Sequence, residues 1–125
     1  MQLAGQHGGA VAVSGNGAEL NRAITNLVAN AIRHTPSGGS VDVQLAASNG
    51  HASVAVRDEC GGIPAHDLAR LFDVGFRGEP ARSQASGGAG LGLAITRGIV
   101  EAHHGSVEVA NVAGGCAFTV RLPSA

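Results

Sequence analysis

The chain has 125 residues and a net charge of -1, from nine acidic and eight basic residues. This length fits one compact domain with a single core, and the chain lacks the basic stripe of a nucleic-acid-binding protein. All eight basic residues are arginine, which excludes lysine-based sites such as the P-loop, the strand lysine of protein kinases and a Schiff base.

The N-terminal stretch and the apolar runs bear on the compartment. No run approaches the roughly 18 apolar residues of a membrane span, and MQLAGQHGG has no basic region leading into an apolar stretch. A signal peptide has that basic region. We therefore predict a cytoplasmic domain that makes no direct contact with a membrane.

The cysteines and paired histidines do not suggest a metal site. Cys60 and Cys116 are the only cysteines and have no CxxC spacing, so we expect two small buried side chains rather than a disulfide scaffold or a zinc site. His103 and His104 are adjacent and would point to different sides of a helix, so they do not chelate a metal from one face.

In chain order, hydrophobic periodicity predicts a strand, a helix, two strands, a short helix, a loop, a helix and two strands. The strands fall at 10–13, 40–47, 52–57, 106–110 and 117–122, and the helices at 19–34, 65–71 and 91–102. This order predicts a single domain over 1–125. Its fold class is an α+β two-layer sandwich, with a mixed sheet of roughly five strands and about three helices on one face.

The helix predicted over 19–34 carries three polar residues on one face, because Asn26, Asn30 and Arg33 fall at i, i+4 and i+7. Asparagine is a mediocre helix former, so two of them need a reason. Amide oxygens are hard neutral ligands suited to Mg²⁺. This face either meets a metal bound to phosphates or faces water, while an opposite apolar stripe supplies the core: Leu20, Ile24, Leu27, Val28, Ala31 and Ile32.

The segment DECGGIP, residues 58–64, places an acidic residue where a strand runs into two glycines. The Asp58 carboxylate only accepts hydrogen bonds, so it can take the exocyclic amino hydrogen of an adenine. Gly61 and Gly62 let the backbone approach a flat ligand. The alternative is an ordinary Asp–Gly turn.

The loop over 73–90 is rich in Gly, Ser and Ala, and we interpret it as a lid or a disordered tether. The segment LFDVGFRGE, residues 71–79, overlaps the start of this loop, and its Phe72 and Phe76 could simply anchor the base of the loop. It ends in GAGLGLAI, whose free backbone N–H groups before a helix could receive phosphate oxygens. This is not the dinucleotide motif GxGxxG, because Leu93 occupies the position of the last glycine.

Together the segments NLVANAIRHT, DECGGIP, LFDVGF, GAGLGLAITRGIVEAHHG and GGCAFTVRLP resemble the catalytic ATP-binding domain of bacterial sensor histidine kinases. They look like the N, G1, F, G2 and last glycine boxes of that family, in the same order and at similar separations. The resemblance covers nearly the whole chain. It implies the Bergerat-type fold shared with gyrase and mismatch-repair ATPases, with ATP and Mg²⁺ as cofactors.

The resemblance also implies roles for individual residues. Asn30 would bind Mg²⁺ and Asn26 would support the same face, while Arg33 would reach the phosphates and His34 would lie against the adenine. Asn30 and Arg33 are thus the candidate catalytic residues. Asp58 would bind the adenine amino group, and the remaining candidate ATP contacts are Gly62, Ile63, Phe72, Arg77, Gly88, Gly90, Leu91 and Gly92.

One residue departs from the family pattern. The G1 box usually has glycine where this chain has Cys60, so the backbone geometry there is left open. If Cys60 lines the pocket, its thiol could react, although burial usually makes a cysteine inert.

The expected reaction is phosphoryl transfer rather than hydrolysis. Relatives that hydrolyse ATP carry a glutamate four residues before the metal asparagine, where this chain has Asn26. Glu19 lies about 16 Å from Asn30 along the helix, beyond the reach of a general base. The resemblance implies transfer to a histidine of a separate dimerisation or phosphoacceptor domain, a downstream response regulator and no nucleic acid. The whole kinase could be membrane-anchored.

Two other functions remain open. One is a serine-directed kinase of the same fold that acts on a regulatory protein, which Asn26 in place of a glutamate disfavours. The other is a nucleotide-binding module without transfer activity, which would call for damage to Asn30, Asp58 or the loop over 88–92. All three motifs are intact.

Overall fold

A computed structural model describes residues 2–4, 10–13, 15–73 and 92–124. The loop predicted over 73–90 lies outside these residues, except for Asp73. Within the described ranges the chain forms six strands and three helices: β1 (Gln2–Ala4), β2 (Ala10–Ala12), α1 (Gly17–His34), β3 (Asp42–Ser48), β4 (His51–Asp58), α2 (Ala65–Leu68), α3 (Gly92–Ala102), β5 (Ser106–Val112) and β6 (Gly115–Pro123).

The main sheet has the order β3-β4-β6-β5, and all of its neighbouring strands are antiparallel. The two central strands supply its buried face because their apolar residues alternate with more exposed ones. In β4 and β6 the buried residues are Ala52, Val54, Val56, Asp58, Gly115, Cys116, Phe118, Val120 and Leu122. This face meets the helices, so the predicted α+β two-layer sandwich is confirmed.

The sheet differs from the prediction in two respects. Its described part has four strands rather than roughly five, and it is antiparallel rather than mixed. The segment predicted as the first strand, 10–13, pairs instead with β1 in a separate two-stranded sheet. In the described part of the chain, an isolated bridge between Val13 and Ser124, beyond the end of β6, links this segment to the main sheet, so the short β2 adds no full strand.

Helix α1 begins earlier than predicted because Asn16 caps it. The Asn16 side chain accepts a hydrogen bond from the N–H of Glu19 at 3.0 Å, which satisfies one of the unpaired donors of the first turn. The backbone N–H of Asn16 donates to Nε2 of His103 at 3.0 Å, and Nδ1 of the same ring lies 2.8 Å from the carbonyl oxygen of Ile99. One imidazole thus joins the start of α1 to the end of α3.

The apolar stripe of α1 is narrower than predicted. Leu20, Leu27 and Ala31 are buried, but Ile32 is 60% exposed. At about 100° per residue, Ile32 lies about 120° around the helix axis from Leu20, which turns it away from the sheet. Ala23 is buried on the other flank and accepts a hydrogen bond from the buried Thr96 hydroxyl of α3 at 3.3 Å.

Helix α2 is shorter than the predicted 65–71. It ends at Leu68 because the backbone changes to tighter turns, with the N–H of Arg70 donating to the carbonyl of Asp67 and that of Asp73 to the carbonyl of Arg70. None of the described helices is long and apolar enough to cross a membrane.

The cysteines are not separate thiols, and the expectation of two independent buried side chains is wrong. Cys60 and Cys116 form a disulfide across 56 residues of sequence, with their Cα atoms 6.0 Å apart. Sequence spacing hides the pair because antiparallel pairing of β4 with β6 brings it together: Asp58 lies opposite Cys116, and Cys60 follows two residues later. Closing a loop of this length stabilises a fold by about 4 kcal/mol.

The hydrogen bond that the Asn16 side chain accepts at the start of α1 predicts a loss of stability when that side chain is removed. Asn16→Ala removes the acceptor for the N–H of Glu19 but keeps the backbone bond to His103. We expect the free energy of unfolding, measured by urea denaturation, to fall by about 1 kcal/mol. Asn21→Ala, at an exposed position of the same helix, is the matched control and should change it by less than about 0.5 kcal/mol. Equal losses in the two variants would contradict the capping role.

Candidate functional site

The carboxylate of Asp58 is the buried charged group at the end of the central strand. Asp58 is the last residue of β4 and is 5% exposed. Its Oδ1 accepts the N–H of Cys60 at 2.9 Å. A buried carboxylate is costly unless hydrogen bonds hold it, so this local bond both stabilises the group and fixes its direction.

The loop after Asp58 exposes backbone rather than side chains. Gly61 and Gly62 have φ values of 85° and 104°, which L side chains rarely adopt. A Cβ at Gly62 would meet nothing closer than Oδ1 of Asn111 at 4.0 Å. The space beside this backbone is therefore open, and a flat ligand could approach it closely.

Asn111 of β5 holds the far end of this loop. Its Oδ1 accepts the N–H of Ile63 at 2.8 Å, and its Nδ2 donates to the carbonyl oxygen of Ile63 at 2.9 Å. One amide thus satisfies both backbone groups of a single residue. Sequence reasoning missed Asn111, because it lies 48 residues from Ile63 and belongs to none of the glycine-rich segments.

Helix α1 presents its two asparagines differently. Asn30 is 6% exposed, and among the described residues no group accepts a hydrogen bond from its Nδ2. Asn26 is half-buried, and its Nδ2 donates to the carbonyl oxygen of Gly92 at 3.4 Å. The polar face therefore lies at the edge of the core rather than opposite it, and it adjoins the start of α3.

The last turn of α1 is tied to the end of β4. The Thr35 hydroxyl accepts the N–H of Glu59 at 3.2 Å, and the Glu59 carboxylate accepts the N–H of Ser40. Arg33 is exposed and His34 is half-buried in this turn. These contacts bring the end of α1 close to the loop that follows Asp58.

Two further predicted site residues, Ile63 and Phe72, are held by the core. Ile63 is buried, so its backbone rather than its side chain borders the loop. Phe72 is half-buried and makes an edge-to-face contact with Phe118 at 6.2 Å between ring centroids, which ties it to the core. Four more lie outside the described residues: Arg77, Gly88, Gly90 and Leu91. The ligand-binding roles of all these residues stay predictions.

A depression of about 250 Å³ lies elsewhere, lined by Ser48, Asn49, His51, Ser53 and Arg121. His51 is the first residue of β4 and Asp58 the last. At about 3.3 Å per residue the two ends are roughly 23 Å apart, so this depression is separate from the site around Asp58.

The chain resembles known proteins over nearly all of its length. A family model described as "Histidine kinase-, DNA gyrase B-, and HSP90-like ATPase" matches residues 15–125. The probable sensor histidine kinase TcrY of Mycobacterium tuberculosis is 40% identical over 113 residues, which are 90% of this chain and 24% of TcrY. The chain thus spans about a quarter of the curated relatives that it matches.

Solved structures give the same result. The mycobacterial sensor histidine kinase MprB is 35% identical, with a TM-score of 0.77 over 90% of this chain and 74% of that one. Full-length ShkA in complex with AMPPNP is 28% identical, with a TM-score of 0.76 over 90% of this chain and 23% of ShkA. The predicted resemblance to the ATPase domain of sensor histidine kinases is confirmed.

The two hydrogen bonds from Asn111 predict a local effect on the loop. In Asn111→Ala the N–H of Ile63 loses its acceptor, and we expect its amide hydrogen exchange to accelerate about tenfold, as for a lost bond worth about 1.4 kcal/mol. Glu108→Ala, on an exposed position of the same strand, is the control and should leave that amide unchanged. Unaltered exchange at Ile63 in Asn111→Ala would contradict the role of Asn111.

Proposed function

The chain belongs to the histidine kinase-, DNA gyrase B- and HSP90-like ATPase family, and we propose that it binds Mg²⁺-ATP and donates the γ-phosphate to a histidine of a separate domain. The observation that carries the proposal is the buried carboxylate of Asp58, held at a strand end beside the open backbone of Gly61 and Gly62. That the related ShkA structure is a complex with AMPPNP supports a nucleotide as the ligand.

The adenine end of the site uses Asp58 and the loop that follows it. The carboxylate accepts from the exocyclic amino group, and its charge strengthens that bond. The base lies along the backbone at Gly62, where no side chain intervenes. His34, half-buried at the end of α1, packs against the other side of the base. Ile63 and Phe72 support these walls from the core.

The buried amide of Asn30 fits a metal ligand. Its Nδ2 has no acceptor among the described residues, and an unpaired buried amide costs about 1–3 kcal/mol. An NH₂ donor cannot bind a cation, so this atom shows only that the protein does not fully satisfy Asn30, and the ligand atom would be the amide oxygen. Neutral amide oxygens suit Mg²⁺, which takes few protein ligands and keeps several waters. Asn30 would therefore hold the ion, and bound Mg²⁺ supplies neutralisation of the triphosphate charge.

The phosphate end lies between α1 and the start of α3. Asn26 joins the two helices there through its bond to Gly92, and Arg33 is exposed on the same face of α1. The N-terminus of α3 carries a partial positive charge that favours phosphate oxygens. The remaining candidate phosphate contacts, which the family resemblance suggests, lie outside the described residues: Arg77, Gly88, Gly90 and Leu91.

The residues of α1 favour transfer over hydrolysis. The amide of Asn26 cannot take a proton from water, and Glu19 lies in the exposed first turn, about 16 Å along the helix from Asn30. Transfer then depends on positioning and charge neutralisation, with an external histidine attacking in line. The partners are a phosphoacceptor domain and a response regulator, within a cytoplasmic unit of a kinase that can be membrane-anchored.

Asp58→Asn tests the adenine end. An amide can still turn its oxygen toward the base, but it loses the charge of the carboxylate. We expect the Kd for ATP, measured by calorimetry, to rise about tenfold, with a smaller change for GTP, which has no amino group at that ring position. Asp42→Asn, on the exposed edge strand, is the matched control. Equal ATP titrations for wild type and Asp58→Asn would remove Asp58 from the site.

Asn30→Ala tests the metal end. Without the amide oxygen, Mg²⁺ lacks its helix ligand, so transfer of radiolabel from ATP to a supplied dimerisation domain should fall by about two orders of magnitude. ATP binding through Asp58 should survive in part. Asn26→Ala, four residues earlier on the same helix face, should lose less of the transfer activity.

The wild-type chain alone is the control for both variants. It should show neither self-labelling nor brisk ATP hydrolysis, since the acceptor histidine belongs to another domain. Full transfer by Asn30→Ala, or strong self-labelling of the isolated chain, would contradict the assigned roles. Transfer to serine in a partner protein would instead favour the serine-directed kinase, and binding without any transfer would favour the simple nucleotide-binding module.

A further inference from the structure

We propose that Cys60 and Cys116 form a reversible thiol switch that tunes nucleotide affinity, the disulfide form binding adenine nucleotides more tightly than the dithiol form. The effect on affinity rests on the proposed function. The effect on the loop does not, because it follows from contacts within the protein.

The two cysteines differ in freedom to move. Cys116 is fully buried in β6, where it pairs with Asp58 of β4 on one side and Asn111 of β5 on the other. Cys60 is half-buried and lies in the loop between β4 and α2. A Cα separation of 6.0 Å lies in the range that a disulfide spans. We therefore expect Cys60, rather than Cys116, to move when the bond between the sulfurs is broken.

Cys60 also carries the bonds that shape the base-binding loop. Its N–H donates to Oδ1 of Asp58 at 2.9 Å, and its sulfur accepts the N–H of Gly62 at 3.2 Å. Cys60 thus connects the carboxylate proposed to bind adenine with the glycine proposed to lie beside the base. The disulfide anchors this connection to the buried end of β6.

Reduction would loosen both bonds. Two bonded sulfurs lie about 2.05 Å apart, whereas nonbonded heavy atoms need roughly 3.5 Å or more. Because Cys116 is fully buried between two strands, we expect Cys60 to make this move. Its sulfur then leaves the N–H of Gly62, and its backbone N–H is no longer held beside Asp58 by the cross-link. The loop then has more conformations to lose when it binds a nucleotide, which weakens affinity. The G1 box of the family usually has glycine at this position, which cannot form a disulfide. We therefore expect the reduced protein still to bind nucleotide, but more weakly.

The chemistry balances with a peroxide as the oxidant. The more accessible Cys60 thiolate attacks one peroxide oxygen, which gives a sulfenic acid and, after protonation of the leaving hydroxide, one water. The Cys116 thiolate then attacks the Cys60 sulfur, the S–S bond forms, and the hydroxyl leaves as a second water. In all, the protein loses two protons and two electrons, and the two protons end in the two waters. A small dithiol reverses the reaction by thiol–disulfide exchange.

A rival use of the same atoms is a metal site. One ligand atom each from Asp58, Cys60 and Cys116 lies within 4.8 Å of the others, and thiolates bind Zn²⁺ well. A zinc ion would hold the reduced pair together and occupy the Asp58 carboxylate. Because the two sulfurs form a disulfide in the structure, the thiol switch is favoured over a metal site. The test must nevertheless be able to detect zinc binding.

The test compares the full chain in two states, both treated with EDTA and desalted. One sample is oxidised with a stoichiometric peroxide and the other is reduced with dithiothreitol, and intact mass establishes the state of each. We expect the Kd for Mg²⁺-ATP to be roughly three- to tenfold lower in the oxidised sample. The nucleotide-free oxidised protein should also show slower amide exchange at Cys60 and Gly62. The double variant Cys60→Ala/Cys116→Ala, which has no thiol left, should respond to neither reagent.

Each of the following results decides whether the proposed thiol switch stands. Equal affinity and equal exchange in the two states, with the disulfide verified by mass, would overturn the switch, as would failure of the disulfide to form. Tight retention of added Zn²⁺ by the reduced chain, with ATP binding blocked, would replace it with a metal site. If neither state binds ATP while exchange at Gly62 still differs, the proposed function fails and the thiol control of the loop stands.

Discussion

The pairing of β4 with β6 is the constraint on which the rest of the site depends. The two strands meet so closely at one end that a Cβ at Gly115 would lie 1.7 Å from the carbonyl oxygen of Asp58. Only glycine fits there. This contact lets the sheet run to the last residue of β4, which places a carboxylate at the end of a fully buried row of side chains. The same register sets Cys116 opposite Asp58.

Single polar side chains attach two elements to the segment after this strand end and join the two long helices to each other. Asn111 holds the loop at Ile63, Thr35 receives the N–H of Glu59 from the first residue beyond β4, and Asn26 connects α1 with the start of α3. Each of these bonds joins segments that are far apart in sequence. The surface ion pairs, such as Arg97 with Glu101, are exposed and add little. The site is thus positioned by a few side chain–backbone bonds around an apolar core.

The sequence predicted the elements better than their arrangement. Periodicity found α1 and the four main strands because each buries one face. It could not show that residues 10–13 pair with β1, since a short apolar run carries no information about its partner. Ile32 was wrongly assigned to the buried face, because apolar residues chosen at steps of three and four spread around the axis of a long helix. The disulfide and Asn111 depend on cross-strand register, which spacing along the chain does not reveal.

Several local features of the site are unfavourable for folding alone. The amide of Asn30 is buried with an unpaired donor in the described structure, the carboxylate of Asp58 is buried, and Gly61 and Gly62 hold positive φ angles. Such costs persist when the surrounding structure enforces them and a ligand makes use of them. Here the buried strand pair enforces the Asp58 end and the packing of α1 enforces Asn30. The bond from the N–H of Glu59 to the Thr35 hydroxyl joins the segment after β4 to the end of α1, five residues beyond Asn30, so the two enforced groups lie on neighbouring segments of the fold.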